Sequence, residues 1–197
     1  MSLEYLPGKL GREQQVTLLR ALRAVMDEAP LFTPTMPRSG KPMSVRMTGF
    51  GPLCWITDAR GYRYEPRHPE TGQPWPPMPE ILLDLWKRYA PNAPEPDACL
   101  ANLYRDGAKM GLHQDRDEQD FTVPVLSLSL GDTAVFRIGG TSRSGPTTSL
   151  KLNSGDLCLL AGPARLAFHG VDRVLAGSST VVPGGGRLNL TLRRALK

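Results

Sequence analysis

The chain has only three histidines, His68, His113 and His169, so any site built on imidazole must draw on these positions. His113-Gln-Asp115 sets an imidazole and a carboxylate two residues apart. On an extended segment such residues point to the same side and could reach one ion. His169 lies far enough downstream to cross a sheet and return on a neighbouring strand. Two His and one carboxylate on one side of a metal, with open positions opposite, describe a non-haem Fe(II) oxygenase site. His68-Pro-Glu70 has the same spacing. It is set aside because Pro69 separates the pair within a proline-rich stretch. Spacing alone also leaves a plainer account open, with His113 a loop histidine beside nearby acids and His169 a hydrogen-bonded core residue.

A second constellation lies near the C-terminus. In Arg187-Leu-Asn-Leu-Thr-Leu-Arg193, alternation puts Arg187, Asn189, Thr191 and Arg193 on one face and three leucines on the other. Two Arg and one Asn turned inward suit a small dianion, because Arg binds carboxylates bidentately and stays charged when buried. The alternative is an exposed edge strand with solvated Arg. Asn102 and Tyr104 form another polar i, i+2 pair just before His113, readable equally as a bonded turn residue and a core tyrosine.

These residues need elements to hold them. Residues 12–28 carry Val16, Leu19, Leu22 and Met26 at helical spacing, and residues 79–90 carry Ile81, Leu82, Leu85, Trp86 and Tyr89 likewise. Pro30 and Pro91 end these two helices. From about residue 98 the pattern turns to strands: 98–104, 123–131, 133–139, 149–162 and 187–194, separated by Gly/Asp/Asn turns. Many short strands with few helices imply a sandwich or jelly roll. Residues 31–75 differ: Arg38, Lys41, Arg46, Arg60, Arg63 and Arg67 outnumber Asp58, Glu65 and Glu70, with Trp55, Tyr62, Tyr64 and Trp75 interleaved. Short strands and ordered loops forming a flap are expected there. Aromatic faces can stack bases while Arg and Lys hold phosphates. Trp75, between Pro74 and Pro76, is assigned to structure.

The 197 residues carry a net charge of +5 with 40% hydrophobic content, which suits a folded domain and excludes a wholly disordered chain. No apolar run reaches the length of a membrane span, and the first residues lack the layout of a secretory signal. A cytoplasmic protein is therefore expected. Cys54, Cys99 and Cys158 match neither a disulfide framework nor a zinc ribbon. No Ser/His/Asp or reactive-Cys arrangement is present, and Gly184-Gly-Gly186 reads as a turn. Nothing in the pattern demands more than a monomer.

Taken in order, Asn102-Leu-Tyr104, His113-Gln-Asp115-Arg-Asp117-Glu118, Phe168-His169-Gly170 and Arg187-Leu-Asn189-Leu-Thr-Leu-Arg193 resemble the AlkB family of Fe(II)- and 2-oxoglutarate-dependent dioxygenases, most closely its bacterial DNA-repair branch. Met43-Ser-Val-Arg-Met47, Trp55, Gly61-Tyr62-Arg-Tyr64 and Pro74-Trp75-Pro76 extend the resemblance through the flap. It implies an α+β fold, mainly β, with a double-stranded β-helix core over residues 98–197. Residues 1–97 would form the N-terminal helices and a nucleotide-recognition flap packed on that core. The implied activity is oxidative demethylation of alkylated bases such as 1-methyladenine and 3-methylcytosine in DNA, with RNA an open alternative. It would consume O2 and 2-oxoglutarate and release formaldehyde, succinate and CO2.

By the same resemblance His113, Asp115 and His169 hold Fe(II). Arg187 pairs with the distal carboxylate of 2-oxoglutarate, Asn102 and Tyr104 contact it too, and Asn189 and Arg193 meet its metal-proximal end. Trp55 and His113 sandwich the base, Tyr62 and Arg143 join the substrate contacts, and Asp117 faces the polar edge of the base. Leu160 stands where a well-known bacterial member of the family has a bulky aromatic, which bears on site shape and oxygen access. Two competing readings keep part of this. One retains the oxygenase core for a protein or small-molecule substrate, which would not require the basic-aromatic flap. The other is a nucleic-acid-binding jelly roll without turnover, which would not require His113, Asp115, His169, Arg187 and Arg193 together.

Overall fold

The computed structural model describes residues 3–105 and 107–197. Its elements in chain order are β1 (Glu4–Leu6), α1 (Arg12–Met26), β2 (Arg46–Phe50), β3 (Cys54–Asp58), β4 (Gly61–Glu65), α2 (Glu80–Tyr89), β5 (Ala98–Tyr104), β6 (Met110–His113), β7 (Val125–Gly131), β8 (Thr133–Ile138), β9 (Thr148–Leu152), β10 (Leu157–Leu160), β11 (His169–Leu175) and β12 (Arg187–Arg193). A six-stranded sheet runs β1-β10-β7-β12-β5-β2, a four-stranded sheet runs β6-β11-β8-β9, and β3-β4 is a separate hairpin. All pairings within these sheets are antiparallel. The two facing sheets form the jelly-roll core of the fold.

Strand β12 is no edge. It lies between β5 and β7, with Arg187 opposite Tyr104 and Gly131, and Asn189 opposite Asn102 and Ser129. Its leucines, Leu188, Leu190 and Leu192, join Leu126, Leu128 and Leu130 of β7 under the buried residues Leu18 and Leu22 of α1 and Leu82 and Trp86 of α2. Burying each such side chain contributes roughly 1.5–3 kcal/mol, so the outer face of the large sheet is the main apolar store. The opposite face of that sheet supplies Leu100, Tyr104 and Cys158 to a second core, where they meet Ala134, Phe136, Leu152 and Val171 of the four-stranded sheet. That inner face is where the polar set of β12 is buried.

Both helices form where expected, with one shift of face. Helix α1 buries Gln15, Leu18 and Leu22, while Leu19, Val16 and Met26 are only half-buried. The amide of Gln15 donates to the Leu10 carbonyl and accepts from the Ser154 hydroxyl, and this polar pin turns the helix by about one position. The expected strand over 149–162 is two strands in different sheets. The turn between them is fixed by Asp156, whose Oδ2 accepts from the Asn153 N–H at 2.7 Å, and by Gly155 at φ +89°. The chain makes the reverse crossing at Gly131, whose φ is +86° and where a Cβ would run into the Gly186 carbonyl and Val182. Strands β1 and β2 belong to the large sheet although they come from the first half of the chain. Among the described residues no helix is long and apolar enough to cross a membrane.

Candidate active site

Strand β6 ends at His113, and the antiparallel register sets His113 directly opposite His169, the first residue of β11. Their rings lie 4.5 Å apart, centroid to centroid. Asp115, two residues beyond His113, closes the group: its Oδ1 is 3.9 Å from His113 Nε2 and its Oδ2 is 3.7 Å from His169 Nε2. One potential ligand atom from each residue lies within 4.8 Å of the others, and this is the one such group found among the described residues. Each imidazole offers its Nδ1 to a backbone carbonyl two residues earlier, Gly111 for His113 and Ala167 for His169, both at 2.9 Å. With Nδ1 carrying the proton, Nε2 keeps its lone pair for an ion.

Charge at the triad is also settled by its surroundings. Burial pushes His169 down to about 4, so it is a neutral imidazole. Burial works against the charged form of Asp115 as well, yet Arg193 foremost, then the two imidazoles and Arg165, outweigh it and hold the carboxyl at about 2. Arg193 Nη2 donates to Asp115 Oδ1 at 3.0 Å. Oδ2, buried beside the imidazoles, has no hydrogen-bond partner among the described residues. An anionic oxygen left bare between two lone pairs is what a divalent cation requires. The residues fit Fe(II).

The inner face of β12 continues the site. Arg187 is 1% exposed, spends Nη2 on the Ser129 hydroxyl at 2.9 Å, and lies over the Tyr104 ring at 5.2 Å. Among the described residues its Nε and Nη1 have no partner, nor has Asn102 Oδ1 on the neighbouring strand. A buried guanidinium with open donors is costly unless an anion fills it, so this corner fits the carboxylate of 2-oxoglutarate. Asn189 differs, since its Nδ2 is spent on the Ser127 hydroxyl and the Leu128 carbonyl. Buried Leu160 stands at the end of β10.

The β3–β4 hairpin supplies the aromatic members. Trp55 and Tyr62 stack at 5.6 Å with 15° between their planes, and the Trp55 indole N–H donates to Asp117 Oδ2 at 2.7 Å. Tyr62 is half exposed. Arg143 is exposed, its guanidinium 5.9 Å from the Phe168 ring. Trp75 is buried and donates to the Glu65 carbonyl, as its structural assignment requires. His68 is buried too: Nε2 bonds the Pro30 carbonyl at 2.7 Å while Nδ1 accepts from the Glu70 and Thr71 N–H groups. Both nitrogens are used, and the second His-x-acid pair is a turn.

This sequence matches the 2OG-Fe(II) oxygenase superfamily over residues 2–193. The chain belongs to the AlkB branch of that superfamily. It is 64% identical over 96% of its length to the alpha-ketoglutarate-dependent dioxygenase AlkB homolog of Caulobacter vibrioides, of which the alignment covers 86%. It is 41% identical over 91% of its length to alpha-ketoglutarate-dependent dioxygenase AlkB of Escherichia coli, covering 84% of that protein. Among solved structures, OsALKBH1 superposes with a TM-score of 0.82 at 29% identity, covering 98% of this chain and all of that one. The AlkB chain is thus an oxygenase that depends on Fe(II), 2-oxoglutarate and O2.

Two residues of this AlkB-family site take roles that their local sequence does not announce. Glu118, the last residue of the His113–Glu118 motif, has a side chain that is 1% exposed and pairs with Arg165 at 3.1 Å and Arg193 at 3.4 Å. Arg165, alone in a Gly/Pro-rich segment, also donates to the Asp115 and Val123 carbonyls. A count of acids near the buried Arg193 could have raised Glu118; nothing local pointed to Arg165.

Proposed function

We propose that this chain oxidatively demethylates alkylated nucleobases in DNA, with 1-methyladenine and 3-methylcytosine as preferred lesions, acting as a cytoplasmic monomer. The observation that supports it most is the stacked Trp55–Tyr62 pair tied by the indole to Asp117, two residues from the iron-ligating Asp115. A protein or small-molecule substrate would need no such platform. A flipped base would use the aromatic face for stacking, with Arg143 and the exposed flap residues Arg38 and Lys41 available to phosphates.

In this reading His113, Asp115 and His169 would hold Fe(II), which with 2-oxoglutarate and O2 would supply the oxidising equivalent for hydroxylating an N-methyl group. The hydroxymethyl product would break down to formaldehyde and the unmethylated base, which stays in the strand. The protein's part is placement. Arg187 anchors the distal carboxylate of 2-oxoglutarate through its open donors, beside Asn102 and Tyr104. Arg193 keeps Asp115 ionised and oriented, and Asn189 braces the floor of the same face. Asp117 offers a carboxylate to the base edge, which favours a cationic methylated base and accepts from an exocyclic amine.

The deciding experiment measures formaldehyde and succinate release from oligonucleotides containing 1-methyladenine, with and without Fe(II) and 2-oxoglutarate. Succinate formed in the presence of the oligonucleotide, without formaldehyde, would end the demethylase reading and leave an oxygenase with another substrate.

A further inference from the structure

Tyr64 is the residue of the hairpin that the chemistry above does not use. It lies opposite Trp55 in the β3–β4 register, so both side chains belong to the same face of the hairpin. The two reach consecutive acids. Trp55 donates to Asp117, and the Tyr64 hydroxyl donates to Glu118 Oε1 at 2.5 Å. Burial raises the Tyr64 phenol well above its ordinary value, so it remains a donor.

Glu118 is the point where the hairpin meets the metal site. Arg193 divides one guanidinium between two carboxylates, Nη2 on Asp115 Oδ1 at 3.0 Å and Nη1 on Glu118 Oε1 at 3.4 Å. Nη1 also donates to the Tyr64 oxygen at 3.3 Å. Arg165 spans the same pair from the other side, with Nη1 on the Asp115 carbonyl and Nη2 on Glu118 Oε2. Two acids and two guanidinium groups balance in charge, and all four are buried. In such a closed network each member's position depends on the others. Without the phenol, Glu118 Oε1 would keep only its longer contact to Arg193. The shared guanidinium would then gain by turning toward Glu118 and away from Asp115.

We propose that Tyr64 is a positioning residue: by holding Glu118 and Arg193 in place it sets the Asp115 carboxylate, so that seating the hairpin and holding the metal are one coupled event. This rests on the reading of His113, Asp115 and His169 as the metal ligands. It assigns Tyr64 a role toward the ion and not toward the base, although it sits beside the base platform. Outer partners of metal ligands typically change metal affinity by about 10–100-fold. Tyr64 is one bond further out, which puts its effect near or below the lower figure, about 3- to 10-fold.

The test uses Co(II) as the probe, with oxygen excluded, on the full chain. Tyr64→Phe keeps the ring and removes the hydroxyl. It is expected to fold with little change in melting temperature, to bind Co(II) about 3- to 10-fold more weakly, and to shift the visible absorption of the bound ion. Glu118→Gln, a second variant that keeps the shape but removes the charge, should change both readouts in the same direction. Arg63→Gln is the control: among the described residues Arg63 bonds only Asp58, Glu65 and Gly61 within the hairpin, and its loss should leave Co(II) affinity and spectrum as in the wild type. A Tyr64→Phe protein with wild-type affinity and spectrum overturns the proposal, as does an equal weakening in Arg63→Gln, which would make hairpin stability the cause. If Asp115→Ala binds Co(II) as well as the wild type does, the metal-ligand reading itself has failed.

Discussion

Replacing Arg187 tests the cosubstrate corner most directly, and the structure makes opposite demands on two measurements. In the ligand-free protein the guanidinium is buried, with Nε and Nη1 unpaired among the described residues, and burial lowers its pKa from the ordinary arginine value. That arrangement is unfavourable by itself, and a well-packed apolar residue at a buried charge is often neutral or stabilising by about 1–4 kcal/mol. Arg187→Met should therefore melt no lower than the wild type when no ligand is present. Binding should respond the other way. Two open donors facing a carboxylate are worth roughly 1.5–3 kcal/mol each, and truncating one partner of a buried charge pair costs about 2–5 kcal/mol. At 1.4 kcal/mol per tenfold, the dissociation constant for 2-oxoglutarate should rise between about 30-fold and about 4,000-fold. Calorimetric titration under anaerobic conditions gives the constant. Thermal melts with and without 2-oxoglutarate give the second readout, because a ligand that binds only the folded state raises its stability by mass action. Unchanged 2-oxoglutarate affinity in Arg187→Met would remove Arg187 from the pocket, and an unchanged affinity together with a lower melting temperature would make it a structural residue.

Four further outcomes follow from the same geometry. Asp115→Ala should fold but lose Co(II) binding and turnover, whereas His68→Ala should keep both and melt lower, since three hydrogen bonds to a buried ring are lost; metal titration and thermal melts separate the two. Asp117→Asn can still accept from the Trp55 indole, so it should keep the stacked pair but reduce the kcat/KM preference for 1-methyladenine over neutral 1-methylguanine by about 1–3 kcal/mol. If both rates fall together with the ratio constant, Asp117 serves site integrity and not lesion charge. In the metal-free protein His169 titrates near 4 instead of 6.5, so between those values the unfolded chain binds a proton the folded chain does not, and stability must fall as pH drops through that window. Urea midpoints between pH 7 and 4 should show this slope, and His169→Gln should flatten it.

What the sequence disclosed depended on whether a signal was local. The i, i+2 pair His113 and Asp115 is a property of one short segment, and so is the alternation from Arg187 to Arg193. Both are geometric consequences of extended backbone. Alternation shows that two faces differ, but not which is inner, and the alternative of a solvated edge strand fell only because β5 and β7 flank β12. The burial and pairing of Glu118 and Arg165 stayed hidden for a related reason. A charge is buried when distant segments bring its partners, and those here come from 64, 118, 165 and 193. The face of α1 moved by a position because Gln15 found Leu10 and Ser154, an effect that hydrophobic spacing does not encode. The break inside 149–162 was announced by Asn153-Ser-Gly-Asp, yet that the two halves enter different sheets is a tertiary fact.

Because His113 and His169 are register partners at the meeting of β6 and β11, an ion bound there is also a fastener. Strand β6 spans four residues and, among the described residues, pairs with β11 alone, through an irregular register. Few backbone bonds hold it, so it belongs to the part of a fold that opens first. Metal coordination joins it to a strand more than fifty residues away in the chain, closing a loop whose entropy would otherwise favour release. The strand that presents His113 is thus secured by the ion it helps to bind. Loss of iron would loosen that edge of the smaller sheet while the leucine face under the helices stays shut, so the empty enzyme would fray locally, without unfolding, at the place where a new ion must enter.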